Sequence, residues 1–134
     1  MAITSEHIEG QIFKMTDAIG GKKQKEALRL YYDLLATRQA PAMILSMIIR
    51  QFNILLILKL LSAQHLDNKV LAAEAGVPPF TLKNYLAQAK GFSVSELKQA
   101  VEYGTDLEER FKTGRIDEQL ACELLIIKYS MPRS

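Results

Sequence analysis

The sequence predicts an all-α protein, a compact bundle of about six to seven helices. Apolar residues recur at spacings of three and four in successive segments, as they do on one face of an α-helix. No segment alternates apolar and polar residues over a length that would indicate a sheet. Glycine, proline or helix-capping residues separate the segments, so the connections are short. The 134 residues suffice for one domain with a sizeable core.

Composition agrees with a folded protein and excludes several classes. Apolar residues make up 49% and charged residues 24% of the chain, which is ordinary for a globular domain. Its net charge of +2, from 17 basic and 15 acidic residues, is too balanced to indicate nucleic-acid binding by charge alone. The single cysteine, Cys122, cannot form an internal disulfide and favours a reducing, cytoplasmic location. Its leucine neighbours predict that it lies in the core.

The first two helices have clear apolar faces. Thr4 or Ser5 is expected to cap the first helix, and Gly20-Gly21 is expected to end it. The second helix is predicted over about residues 22–37. The faces consist of Ile8, Ile12, Met15 and Ile19 in the first helix and Ala27, Leu30, Tyr31, Leu34 and Leu35 in the second.

The third helix, started by Pro41, is apolar around most of its circumference between Met43 and Leu61. Its length suits a membrane span of about 20 residues. However, two charges and two amides interrupt it, and a charge at a span's centre costs roughly 2.5–3.5 kcal/mol. We therefore predict a buried bundle helix and no membrane. Its polar residues are Ser46, Arg50, Gln51, Asn53 and Lys59, of which the first, second and fourth share one stripe at 100° per residue.

Two short helices are predicted next. Asp67 or Asn68 starts the fourth, which ends at Gly76, and Pro78-Pro79 separates it from the fifth. The fifth helix carries Leu82, Tyr85, Leu86 and Ala89.

The last two helices are longer. Ser93 and Glu96 have the spacing of a capping box for the sixth, which runs towards Phe111. Gly114 interrupts the chain, and the seventh helix is predicted over residues 117–129. Its expected apolar face consists of Leu120, Leu124, Leu125 and Ile127.

No arrangement of residues indicates catalysis, a cofactor or a metal. His7 and His65 are far apart, and with one cysteine they cannot supply a zinc site. No nucleophile has a base and an orienting group nearby in sequence. Gly21-Lys22 lacks the other positions of a phosphate-binding loop. We expect a protein that is not an enzyme.

Residues 67–89 could form a helix-turn-helix, with Ala75-Gly76-Val77 at the turn. In that motif the start of the second helix reads base edges in the major groove. Here only Lys83 and Asn84 suit phosphate or base contacts, which makes a poor reading surface. Two bundle helices joined by a tight corner are therefore favoured, and DNA binding is the alternative.

The loop FKTGRID, residues 111–117, has two interpretations. It is an ordinary connection in which Asp117 caps the last helix, or a basic loop near a phosphate backbone. In the second case Lys112 and Arg115 would supply charge, and an exposed Phe111 would supply stacking.

Four segments in order carry a family resemblance over about residues 8–129. They are IFKMTDAIGGKKQKEALRLYYDLL (12–35), ILSMIIRQFNILL (44–56), GVPPFTLKNYLAQAKGFSVSELKQA (76–100) and FKTGRIDEQLACELLII (111–127). Together they resemble the C-terminal domain of the delta subunit of the bacterial DNA polymerase III clamp loader. The equivalent domain of the delta-prime subunit is a close alternative.

The resemblance implies a helical collar domain that oligomerises with the collar domains of the delta-prime and tau/gamma subunits, in an assembly that binds primed DNA. It also implies two further domains N-terminal to this one. We therefore expect a tail or remnant of a preceding domain at residues 1–7, the collar domain at 8–130 and a C-terminal tail at 131–134. On the third helix, Arg50, Gln51 and Lys59 are the candidate subunit interface. Phe111, Lys112 and Arg115 are the candidate DNA-proximal loop.

Overall fold

The structure, a computed structural model, describes residues 4–132. In that range the chain forms seven α-helices and no strand, which confirms the all-α prediction. Two 3₁₀ turns, Ser62–Gln64 and Pro79–Thr81, precede α4 and α5. The helices are α1 (Ser5–Gly20), α2 (Gln24–Ala36), α3 (Pro41–Leu61), α4 (Asn68–Ala75), α5 (Leu82–Ala89), α6 (Val94–Lys112) and α7 (Glu118–Ser130).

Helix ends follow the capping residues seen in the sequence. The Thr4 hydroxyl accepts a 3.1 Å hydrogen bond from the His7 amide, and residues 5–7 belong to the first turn of α1. The predicted capping box at α6 is present, with Ser93 and Glu96 bonding each other's backbone amides. Asp117 caps α7 by accepting from the Leu120 amide at 3.1 Å.

Helix α3 lies in the middle of the bundle and contacts α1, α4, α5, α6 and α7. By length and composition alone, the segment Pro41–Gln64 could cross a membrane, and an 18-residue window within it has a mean hydropathy of 1.9. Of that window 44% is buried, because α3 packs against several neighbouring helices. The buried residues are Ile44, Leu45, Ile48, Gln51, Phe52, Ile54, Leu55 and Leu58.

The core has two parts. The larger part joins α1, α2, α3, α6 and α7 around side chains such as Met15, Tyr31 and Phe52. In the smaller part, Ile54 and Leu58 of α3 pack against the α4–α5 corner. Val77, at the turn of that corner, is only 6% exposed. The corner is thus an integral part of the bundle.

One ion pair links three parts of the chain. Lys22, between α1 and α2, directs its Nζ to the Glu96 carboxylate at 2.7 Å and to the Tyr129 carbonyl at 2.9 Å. It therefore connects the turn after α1 with the start of α6 and the end of α7. Since both charged side chains are mostly shielded from water, this pair holds its geometry better than the exposed pairs on α2 and α6.

Two glycines of α1 should respond oppositely to a methyl group. A Cβ at Gly20 would lie 2.8 Å from the Phe92 ring, so Gly20→Ala should destabilise the fold by about 1–3 kcal/mol. Gly10 has open space around its Cα, so Gly10→Ala should stabilise the helix by up to about 1 kcal/mol. Urea unfolding of both variants checks this. Equal effects at the two positions would contradict the close contact of α1 with Phe92.

Candidate functional site

The polar stripe predicted on α3 is exposed. Ser46, Arg50 and Asn53 all face solvent on the central helix. Arg50 lies beside Tyr85, whose ring makes an edge contact with Phe13 at 5.5 Å between centroids. Burial raises the pKa of Tyr85, and the positive charge of Arg50 partly opposes that rise. Arg50 therefore lies at the border of α3, α5 and α1.

Gln51, expected at a subunit interface, instead points into the domain. It is 5% exposed, and its Nε2 donates to Gln88 Oε1 at 2.8 Å. Gln88 Nε2 in turn donates to the Phe13 carbonyl at 2.9 Å. The physical reason is the 100° rotation between successive helical residues, which directs Gln51 inward when Arg50 faces out. The two amides join α3, α5 and α1.

Lys59 is also engaged within the domain. Its half-buried side chain donates from Nζ to the carbonyl of Ala89 at 3.1 Å. Ala89 is the last residue of α5, and its carbonyl also accepts from the Phe92 amide at 3.2 Å, so Lys59 adds a second hydrogen bond there and complements the helix dipole. Of the three candidate interface residues, Arg50 alone is exposed.

Neighbouring substitutions should separate the roles of Arg50 and Gln51. Gln51→Ala removes the donor to buried Gln88, so we expect a loss of about 1–3 kcal/mol in the free energy of unfolding. Arg50→Leu should change that free energy by less than about 0.5 kcal/mol because its side chain lies at the surface. Chemical denaturation monitored by circular dichroism measures both. A larger loss for Arg50→Leu would reverse the assignment of inward and outward faces.

The α6–α7 loop is shorter than predicted, because Phe111 and Lys112 form the end of α6 and the connection covers residues 113–117. Phe111 is half-buried and packs against the main core, so it is not the exposed stacking group expected from the sequence. Lys112 and Arg115 are exposed, and Arg115 Nε donates to Thr113 Oγ1 at 3.0 Å. The turn requires the positive φ of 76° at Gly114. The loop thus offers charge without an aromatic platform.

An exposed apolar surface that the sequence did not predict lies on α2 and α7. It consists of Tyr32, Leu120, Ile127 and Met131, which are 43%, 45%, 38% and 56% exposed. We call these four residues the α2–α7 patch. Leu120 and Ile127 were expected in the core; the core positions of α7 are instead Ala121, Cys122, Leu125, Ile126 and Tyr129. The sequence did contain a signal for this surface, the continuous apolar run over residues 124–127. Such a run places apolar side chains on more than one face of the helix.

A hydrogen bond braces this patch. The Tyr32 hydroxyl donates to the Glu123 carboxylate and links the two helices. That bond, and to a smaller extent burial, raises the pKa of Tyr32. Glu123 lies between Leu120 and Ile127 in the sequence, so the bond holds Tyr32 next to the apolar side chains of α7.

The α4–α5 corner lacks the surface of a base-reading motif. A 3₁₀ turn precedes α5, and its Phe80 is 86% exposed. Lys83 and Asn84 are exposed, but the corner around them is packed on α3. This arrangement agrees with the favoured interpretation as a corner of the bundle.

No set of side chains in residues 4–132 resembles a reaction centre. His7 and His65 are exposed, and no group of three His, Cys, Asp or Glu side chains there could hold a metal ion. Cys122 is buried, as predicted, and burial raises the pKa of its thiol to about 12. Such a thiol is a poor nucleophile at neutral pH. The described residues therefore define a domain of the all-α helical-bundle class.

Comparison with known proteins identifies the family of this domain. The family model for the DNA polymerase III delta subunit, C-terminal domain, matches residues 9–129. DNA polymerase III subunit delta of Bacillus subtilis (strain 168) is 32% identical over 126 residues, which is 94% of this chain. The solved structure of the Bacillus subtilis DNA clamp loader delta protein superposes with a TM-score of 0.85 at 32% identity, covering 92% of this chain. The chain belongs to the family of C-terminal domains of the DNA polymerase III delta protein, and it spans 36% of the length of each of these two relatives.

Proposed function

We propose that this domain is a non-catalytic oligomerisation element of the cytoplasmic clamp loader, an accessory part of the polymerase III holoenzyme. It associates with the equivalent collar domains of the delta-prime and tau/gamma subunits during DNA replication. The observation that carries the proposal is the α2–α7 patch, where four large apolar side chains lie exposed on a small domain. The Tyr32–Glu123 hydrogen bond brings α2 to α7 there, and exposed apolar surface of this kind is typical of protein interfaces.

The composition of the patch suits a protein partner. Tyr and Met are enriched in interfaces, and the Tyr32–Glu123 hydrogen bond fixes one aromatic side chain before binding. Leu120 and Ile127, seven residues apart, present one face of α7 over two turns. A helix from a neighbouring collar domain can pack against such a face.

Arg50 supplies a second candidate contact. The stripe that it shares with Ser46 and Asn53 is exposed on the helix that organises the bundle. A polar stripe with one charge contributes more to the orientation of an interface than to its affinity. We assign this role to Arg50 and not to Gln51 or Lys59, whose polar groups bond within the domain.

Co-elution tests the proposal. The chain is mixed with purified collar domains of delta-prime and tau/gamma at about 10 μM, where a micromolar complex is populated. Elution as one complex of defined stoichiometry is the expected result, and Arg50→Leu should weaken it. Separate elution at both low and physiological salt would refute the proposal. Duplex binding lost on Lys83→Ala together with Asn84→Ala would favour the helix-turn-helix alternative instead.

The α6–α7 loop is proposed as the part of the domain nearest to primed DNA. Lys112→Ala combined with Arg115→Ala should leave assembly intact and lower the affinity of the assembled loader for primed DNA. Loss of two phosphate contacts should also reduce the slope of log affinity against log salt by about 2. Anisotropy titrations at several salt concentrations measure both quantities. An unchanged slope would make the loop a simple connection.

A further inference from the structure

Two adjoining depressions follow α5, and neither Arg50 nor any residue of the α2–α7 patch borders them. Their volumes are about 370 and 420 Å³, and both are bordered by Leu86 and Lys90. The first extends to Lys59 on α3, and the second extends to Lys83 at the start of α5. We call the pair the α5 groove.

The α5 groove is positively charged at its rim. Residues 59–90 contain four lysines, one aspartate and one glutamate, so the whole chain's net charge of +2 arises in this segment. The two acidic residues, Asp67 and Glu74, do not border the groove, and no other carboxylate of the described residues does. Lys83 and Lys90 are exposed and make no ion pair within the described chain. Their charges are available to a ligand.

The floor of the α5 groove is aliphatic. Leu86 is half-buried and presents surface between the lysines, whereas Leu58, Leu82 and Ala89 are 0%, 3% and 4% exposed and lie beneath it in the core. Among residues 4–132, neither an aromatic side chain nor an arginine borders it, whereas sites for single-stranded nucleic acid stack bases on aromatic rings. An aliphatic floor with a lysine rim is complementary to a peptide that carries both carboxylates and apolar side chains.

The distance between the two exposed lysines, Lys83 and Lys90, indicates how far apart the acidic residues of that peptide should be. Lys83 in α5 and Lys90, the residue that follows its last turn, are seven positions apart, which is a rise of about 10 Å along the helix axis. Three residues of an extended polyproline II segment complete one turn and cover about 9 Å, which is close to the same distance. Acidic residues at every third position of such a segment share one face and would therefore meet both lysines.

We propose that the α5 groove binds an extended acidic peptide segment of a partner protein, with Lys83 and Lys90 pairing its carboxylates and Leu86 contacting its apolar side chains. This binding is independent of the α2–α7 patch. It can therefore add a tethered partner to a domain that is already assembled.

The test uses the whole chain and a short fluorescein-labelled peptide with Asp at every third position and Leu between. Three further probes are the peptide with Lys for Asp, the peptide with Gly for Leu, and a labelled oligothymidine. The variant is Lys83→Glu with Lys90→Glu. Its matched control is Lys25→Glu with Lys98→Glu, which changes the net charge equally at exposed positions outside the groove. Circular dichroism confirms that both variants are folded.

Saturable, salt-sensitive binding of the acidic leucine peptide is expected, with weaker binding of the other peptides. The groove variant should lose about tenfold or more in affinity and the control variant much less. Equal losses of affinity in the two variants would show that binding depends only on the net charge of the domain. That result would overturn the proposal. Tighter binding of oligothymidine would assign the groove to nucleic acid and overturn the proposal. Equal binding of the Gly peptide would also overturn it, since the apolar side chains of the ligand would then take no part.

Discussion

Phe52→Ala is expected to destabilise the domain by about 3–5 kcal/mol. Phe52 is fully buried on α3, and its ring makes contacts with Phe92 at 5.7 Å and with Tyr129 at 6.2 Å between centroids. Removing the ring leaves a cavity where α3 meets the start of α6 and the end of α7. For a small domain, a loss of this size is a large fraction of the total stability.

Urea denaturation of the wild type and the variant measures the difference. Leu60→Ala is the matched control on the same helix, since Leu60 is 48% exposed and should contribute less than about 0.5 kcal/mol. A cost below about 1 kcal/mol for Phe52→Ala would contradict the central position of α3. Equal costs for the two substitutions would do the same.

The second large effect concerns assembly. Leu120→Glu combined with Ile127→Glu should reduce affinity for the partner collar domains about 100-fold or more. Each substitution would bury a charge at the α2–α7 patch, where a central apolar contact contributes about 2 kcal/mol. The free energy of unfolding should change little, because both side chains already face water.

The control for this experiment replaces exposed apolar residues elsewhere. Val70→Glu combined with Phe80→Glu alters side chains that are 46% and 86% exposed, far in sequence from the patch. Assembly should be unaffected by these two substitutions. Wild-type affinity in the Leu120 and Ile127 variant would place the interface on another face of the domain.

The helices and their ends were predictable because local residues determine them. Ser93 and Glu96 form the capping box that their spacing implies, and Gly76 takes the left-handed conformation that ends α4. The burial of α3 followed from its continuous apolar sequence. Each of these features depends on residues within one or two turns of the position concerned.

The orientation of individual side chains was less predictable. Arg50 and Gln51 are adjacent polar residues, and only the packing of α5 and α1 decides which of them is buried. In α7 the apolar residues surround the helix, so periodicity cannot distinguish inward Ile126 from outward Ile127. The α2–α7 patch depends on which helices pack together, and that is a tertiary property.

The central claim, that the domain assembles through the α2–α7 patch, is tested most directly by hydroxyl-radical footprinting with and without the partner collar domains. Tyr32 and Met131 are exposed and readily oxidised, and Phe80, outside the patch, is an internal reference. Assembly is predicted to protect Tyr32 and Met131 strongly while oxidation of Phe80 stays the same. Unchanged oxidation of Tyr32 and Met131 in a complex that has demonstrably formed would contradict the account.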